Sequence, residues 1–363
     1  MFFWIYTYCI VFLTAIFFNQ KIVIRFLWFI LFVIAAFRYN VGTDYDTYEL
    51  MYNAFLIDDV PRVWQGKEPG FVAIIKILTF LGLSAQSLFV VTSFFILLFF
   101  YFGMYRLFKR QDSQLIILML FFTFIYLTSL NVIRQFMAIS IFAFLIYYIV
   151  RGNYLKYHIG VFFGALFHLS FFVVSPLYFL SKIRLSNNQI ILVSIFIVAL
   201  LFFNIIDAIS SIEKYFKIKY WWYFQNLTNE RTLTAKISFF ISLFSSLLLI
   251  FLLNKNNKFE NFLINSSLYF LFLNSILFYS GVAGRIGFYY KVIYLFTLVV
   301  LFQKYSARLK KYTINLIFIT LLLLNTSYLI YTSYSRHVTD ESYSHYTFNF
   351  SLFGEPYPME VVR

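Results

Sequence analysis

The chain reads as an all-α polytopic membrane protein, and three observations predict it. Hydrophobic residues make up 62% of its 363 residues, against roughly 45–50% in a soluble globular domain. Apolar runs near 17–20 residues recur along nearly the whole length, each close to the roughly 20 helical residues that cross a hydrocarbon core. The alternation of a membrane β-barrel is absent, which leaves a helical bundle as the spanning structure. Mean hydropathy is +0.80 and 12% of the residues are charged. Helices consume the length, so any chemistry sits on loops and helix ends.

In order, the candidate spans are 2–18, 22–37, 86–105, 114–130, 132–150, 189–206, 235–253, 261–280, 286–303 and 312–331. Two stretches are ambiguous. Residues 69–83 are apolar but short and carry Lys76, and residues 155–181 contain His168, Ser170 and Pro176. Charge decides between their readings. Basic clusters lie at Lys21/Arg25, Arg106/Lys109/Arg110, Arg151/Lys156, Lys182/Arg184, Lys255/Lys258 and Lys304/Arg308/Lys310/Lys311. All six fall on the cytoplasmic side if neither stretch crosses, as the positive-inside rule prefers. The expectation is therefore about ten full spans, with 69–83 interfacial and 155–181 re-entrant and broken near His168. Residues 1–331 then form a single transmembrane domain with external loops 38–68 and 207–234, followed by an external tail over 332–363.

Several function classes drop out. Net charge is +14, but the basic residues fall in short loops between spans, so topology explains them without nucleic acid. Cys9 is the only cysteine and lies inside the first apolar run, which excludes an internal disulfide and a thiolate metal site. No metal or cofactor is predicted. The N-terminus lacks a basic leader region and a small-residue cleavage signal, so the first run reads as a retained helix. Neither GxxxxGK[ST] nor GxGxxG occurs, which leaves a nucleotide-driven mechanism without a binding loop.

The unusual polar residues gather on the outer side. Arg38-Tyr-Asn-Val-Gly-Thr-Asp-Tyr-Asp-Thr-Tyr48 follows the second run. Gly42 suits a positive φ, and Thr43 with Asp46 forms an N-cap pattern. A short helix from Asp44 places Tyr45, Tyr48 and Tyr52 on one face, suited to a sugar ring. Arg38 can clamp a phosphate with its planar fork; alternatively it marks the headgroup boundary with the tyrosines. Glu68-Pro-Gly-Phe71 begins a helix, with Pro69 at the first position, and Glu68 is either its cap or a catalytic acid. Asn131, Arg134, Gln135 and Ala138 share a helix face. An arginine inside a span pairs, lines a wet cavity or snorkels, and its Asn and Gln neighbours favour a ligand. His168 is the only histidine at membrane depth. Arg285 and Tyr289 share a face in a glycine-rich stretch around Gly281, Gly284 and Gly287, where helix packing explains the glycines but not the arginine. Loop 207–234 carries Tyr215, Tyr220, Trp221, Trp222 and Tyr223, an interfacial aromatic belt or a glycan platform.

Three arginines (Arg38, Arg134 and Arg285) suit a polyanion that lives in the membrane. A lipid-linked diphosphate is one, and it leaves readily once cations stabilise its charge. Asp44, Glu68 or His168 then deprotonates an attacking sugar hydroxyl, while Tyr45, Tyr48 and Gln135 orient the sugar and Tyr289 joins Arg285 in binding the substrate.

The motifs Arg-Tyr-x-Val-Gly-Thr-Asp-Tyr-x-x-Tyr, Glu-Pro-Gly-Phe, Asn-x-Ile-Arg-Gln-x-x-Ala and His-x-Ser resemble the EpsG-like family of Wzy-type polymerases of bacterial surface polysaccharide (O-antigen, capsule or exopolysaccharide). The resemblance is firm from Met1 to Pro176 and looser around Gly284-Arg285. It implies a glycosyltransferase of the cytoplasmic membrane that joins undecaprenyl-diphosphate-linked oligosaccharide repeat units at the outer face. The lipid-linked units would serve as donor and acceptor, with a chain-length regulator and membrane lipid as partners. A lipid-linked oligosaccharide flippase and a membrane acyltransferase are the rival readings. The first needs charges open to both sides, the second a cytoplasmic route for its donor.

Overall fold

The computed structural model describes residues 2–17, 21–42, 44–61, 64, 68–201, 233–278, 282–305, 320 and 347–348. These are helical almost throughout. In order they form α1 (Phe2–Phe17), α2 (Lys21–Ala36), α3 (Tyr45–Leu56), α4 (Pro69–Phe80), α5 (Gln86–Leu107), α6 (Gln111–Phe121), α7 (Leu127–Asn131), α8 (Ile133–Val150) and α9 (Tyr154–Ala165). Then come α10 (Leu177–Leu180), α11 (Asn187–Leu200), α12 (Leu233–Leu252), α13 (Lys258–Ile276) and α14 (Val282–Tyr305). A π turn over Phe122–Tyr126 joins α6 to α7, and a 3-10 helix spans Leu169–Val174. The strands Arg38–Tyr39 (β1) and Thr347–Phe348 (β2) pair antiparallel, Arg38 opposite Phe348. Among the described residues four helices are long and apolar enough to cross a membrane: Ala85–Leu107, Gln111–Asn131, Ile133–Val150 and Gly284–Tyr305. The expected span 312–331 except Thr320, the loop 207–234 except Leu233 and Thr234, and all of the tail except Thr347–Phe348 lie outside the described residues, as does Thr43.

The interrupted stretches break where the sequence breaks them. α9 ends at Ala165, and the chain resumes as a 3-10 helix at Leu169, which leaves His168 in the gap. α4 begins at Pro69, whose missing N–H would have no partner in a first turn anyway. Val132 separates α7 from α8 with φ −90 and ψ 58, so the face expected to carry both Asn131 and Arg134 is divided between two helices.

The described residues group into two compact units. One holds the described residues within Met1–Tyr147, Ile159–Phe172 and Ser306–Arg363; the other holds those within Tyr148–His158 and Val173–Tyr305. In the first, α2 packs along α5, with Trp28, Phe100 and Phe121 meeting in a ring cluster. Arg38 ties helix ends together there. It is fully buried. Its guanidinium donates to Ala35 O at 2.5 Å, to Leu130 O at 3.0 Å and to Ser93 Oγ at 3.4 Å. Gln86 Nε2 donates to Ala36 O at 2.6 Å. The last carbonyls of a helix have no partner within it, and a cation suits a helix C-terminus. Arg38 supplies both for α2 and α7.

In the second unit α13 packs against α10, α11, α12 and α14. Asn261 and Asn265, one turn apart on α13, reach the chain leaving α10. Asn261 Nδ2 donates to Ser181 O and Ile183 O at 3.0 and 2.9 Å; Asn265 Nδ2 donates to Leu180 O and Ile183 O at 2.8 and 2.7 Å. Carbonyls left over where a helix ends need such partners, and these two carboxamides supply them.

Candidate functional site

The four motifs of the first half meet in the first unit, and glycines allow two of the approaches. Gly42 sits at φ +105, and a Cβ there would fall 2.3 Å from Asn131 Oδ1. That lets the Asp44 backbone N–H donate to the same oxygen at 3.5 Å. Gly70 donates its N–H to Leu166 O at 2.9 Å, and a Cβ at Gly70 would lie 3.0 Å from Leu166 Cβ and 3.1 Å from its carbonyl oxygen. The start of α4 is thereby held against the end of α9. Glu68 comes beside His168 as a result.

At the meeting point Glu68 lies between a cation and an imidazole. Arg134 Nη1 donates to Glu68 Oε2 at 2.5 Å, and His168 Nε2 lies 3.6 Å from Glu68 Oε1. Ser170 Oγ lies 2.6 Å from His168 Nδ1, and the Ser170 backbone N–H donates to that nitrogen at 3.3 Å. Nδ1 is therefore an acceptor, which assigns the ring proton of neutral His168 to Nε2, facing Glu68. Side-chain exposure is 12% for Glu68, 14% for His168 and 33% for Arg134, so the cluster is partly desolvated and still reachable. Glu68 occupies the N-cap position of α4 but makes no side-chain cap hydrogen bond. The capping explanation of this residue fails. Its backbone is left-handed, φ 48 and ψ 69, a conformation a non-glycine residue holds only under local constraint.

Tyr48 completes the cluster. The Arg134 guanidinium carbon lies 5.8 Å from the Tyr48 ring centroid and 5.9 Å from that of Phe71, within cation–π range. Burial pushes the Tyr48 phenol above its ordinary pKa, and the Asp44 and Glu68 charges add to this, while Arg134 beside it pulls the other way. Tyr48 is therefore a neutral hydrogen-bonding group at working pH. Asp44 stands at the N-cap of α3, near enough for its charge to bear on Tyr48.

Other predicted residues are placed differently. Tyr45 is 2% exposed, stacks on Phe89 at 4.3 Å and donates its hydroxyl to Gln86 Oε1 at 3.4 Å. Tyr52 is fully buried and donates to Leu83 O at 2.7 Å. The tyrosine face of α3 is thus the face that docks the helix, which corrects the expectation that Tyr45 contacts sugar. Arg38 is corrected likewise. Its donors meet helix-end carbonyls, and its guanidinium sits 4.7 Å over Phe89, so this site has no Arg38 clamp. Gln135 is fully buried. Arg285 and Tyr289 belong to the second unit, where Arg285 is exposed and Tyr289 fully buried at 0%. Ser170, the third residue of the His-x-Ser motif, is the partner of His168 that the candidate residues above do not include. Among the described residues no group of three or more His, Cys, Asp or Glu is arranged to hold a metal ion.

A sequence profile of the EpsG family matches residues 21–348. No curated protein and no solved structure matches the chain. The matched segment covers every element of the cluster and all four membrane-length helices, and the chain is a multi-pass membrane protein that belongs to the EpsG family.

Proposed function

We propose that this protein is a polysaccharide polymerase. It joins undecaprenyl-diphosphate-linked repeat units by glycosyl transfer at the outer face of the cytoplasmic membrane. Membership in the EpsG family supports a polymerase-type membrane protein of exopolysaccharide synthesis. The observation that carries the reading furthest is the Glu68 carboxylate held between Arg134 and His168 in a half-open site.

The chemistry follows from that arrangement. In the resting site Arg134 neutralises Glu68 and weakens it as a base. A lipid diphosphate entering the site competes for the Arg134 fork, which matches phosphate oxygens bidentately. As Arg134 turns to the diphosphate, Glu68 loses its counter-ion and gains proton affinity. Glu68 then takes the proton from the acceptor sugar hydroxyl, and that oxygen attacks the anomeric carbon of the donor. The bond from that carbon to the diphosphate oxygen breaks, and the leaving charge falls on Arg134. His168, fixed by Ser170, turns Nε2 toward Glu68 at 3.6 Å, Tyr48 packs beside Arg134, and Asp44 borders the sugar. The diphosphate bond drives the reaction, so no nucleotide is needed.

A deletion strain tests the reading. Single repeat units exposed outside the membrane, still lipid-linked or ligated, agree with a lost polymerase. Repeat units trapped facing the cytoplasm contradict it and favour the flippase.

A further inference from the structure

We propose that the second unit binds an anionic phospholipid, with its phosphate in a basic cavity and one acyl chain in an adjoining apolar groove. The cavity, of about 330 Å³, is lined by Arg151, Lys182, Arg184, Lys255 and Lys258, with no Asp or Glu among its lining residues. These cations come from three separate basic segments of the sequence. The positive-inside rule puts such segments on one side but does not gather them around a concavity. Lys182 Nζ lies 4.6 Å from the Tyr178 ring centroid, and Lys255 Nζ donates to Asn187 Oδ1 at 2.9 Å. Glu260, on the same helix as Lys258, is turned elsewhere. Its carboxylate accepts from the Asn254 N–H at 2.6 Å and lies 3.8 Å from Lys304. Five cations with no acid in the wall make a site for a phosphate.

The groove, of about 320 Å³, lies next to the cavity along α13 and the 180–185 segment. Along residues 180–185 the neighbours divide: Ser181, Lys182 and Arg184 line the cavity, whereas Leu180, Ile183 and Leu185 line the groove. Helix α13 divides the same way. Lys258 and Asn261 face the cavity, and Leu268 and Phe272 face the groove. The carboxamides of Asn261 and Asn265 anchor the 180–185 segment. A charged cavity beside an apolar groove fits an amphiphile, and a soluble phosphate would leave the groove empty. The site takes phosphatidylglycerol in preference to phosphatidylcholine, whose ammonium the five cations repel.

To test this, the full chain in neutral detergent is titrated with phosphatidylglycerol, phosphatidylcholine and glycerol 3-phosphate, and bound molecules are counted by native mass spectrometry. Phosphatidylglycerol should stay bound where the other two do not. Arg184→Gln with Lys258→Gln should weaken its retention roughly 30-fold, the effect of removing two cations near a lipid surface. Val193→Trp, which fills the groove without changing charge, should also reduce retention and decides the matter if the double variant fails to fold. Equal retention of phosphatidylcholine, displacement by equimolar glycerol 3-phosphate, or full retention in a folded variant of either kind overturns the proposal.

Discussion

Replacing Arg134 by lysine separates charge from geometry at the centre of the cluster. Lysine keeps a cation opposite Glu68. It loses the fork that reaches Glu68 while lying against Tyr48 and Phe71. One hydrogen bond involving a charged group contributes about 1.5–3 kcal/mol. With the Arg134 side chain 33% exposed, the lower figure applies, so a loss near 1.5 kcal/mol in stability follows. The transition state suffers more. Removing one donor aimed at developing charge lowers turnover about 10²–10³-fold. Two assays on one preparation separate these effects: thermal unfolding of the purified variant, and the polymer ladder made in liposomes from lipid-linked repeat units. Arg134→Lys should remain folded and lose long polymer. A variant that polymerises at the wild-type rate, or loses product only in proportion to unfolded protein, would refute the diphosphate role and leave Arg134 as a structural partner of Glu68.

Three further outcomes follow. Gly70→Ala places a Cβ 3.0–3.2 Å from Leu166 atoms; shifting the start of α4 by a few tenths of an ångström should cut ladder formation about tenfold while folding persists. A single cysteine at Asp58 in a Cys9→Ser background should label with an impermeant maleimide in intact cells (outer membrane permeabilised if there is one), whereas protection with normal expression would reverse the orientation. Burial, with Asp46 adding to it, raises the Glu49 pKa. An acid whose folded pKa is raised destabilises the fold above that pKa and not below its unfolded value. Glu49→Gln should therefore raise the melting temperature at neutral pH and leave it unchanged in acid; no difference at neutral pH would remove burial as the cause.

Much of this architecture is visible in the chain because membrane helices are written in hydropathy. The run 132–150 appears as Ile133–Val150 and the run 86–105 as Gln86–Leu107. Local signals were equally readable. Pro69 begins α4, and the polar interruption at His168 breaks α9 from the 3-10 helix. Long-range contacts were not readable. Arg38 reaches the carbonyl of Leu130, and no local pattern shows that a helix 92 residues away ends there with an unsatisfied oxygen. The tyrosines of α3 obeyed the predicted spacing, but spacing does not say whether a face meets ligand or protein, and Tyr45 met Phe89. The convergence of Glu68, Arg134 and His168 depends on Gly70 docking against Leu166, a close approach that one sequence cannot show.

The most direct measurement is the polymer ladder from purified protein and lipid-linked repeat units in liposomes, without nucleotide, comparing wild type with Glu68→Gln. Wild type should extend the ladder. Glu68→Gln should lower turnover by about 10²–10⁴-fold, as for a lost general base, while still binding the lipid-linked unit. A Glu68→Gln ladder at the wild-type rate, or a wild-type protein that moves repeat units across the bilayer without joining them, would contradict the account.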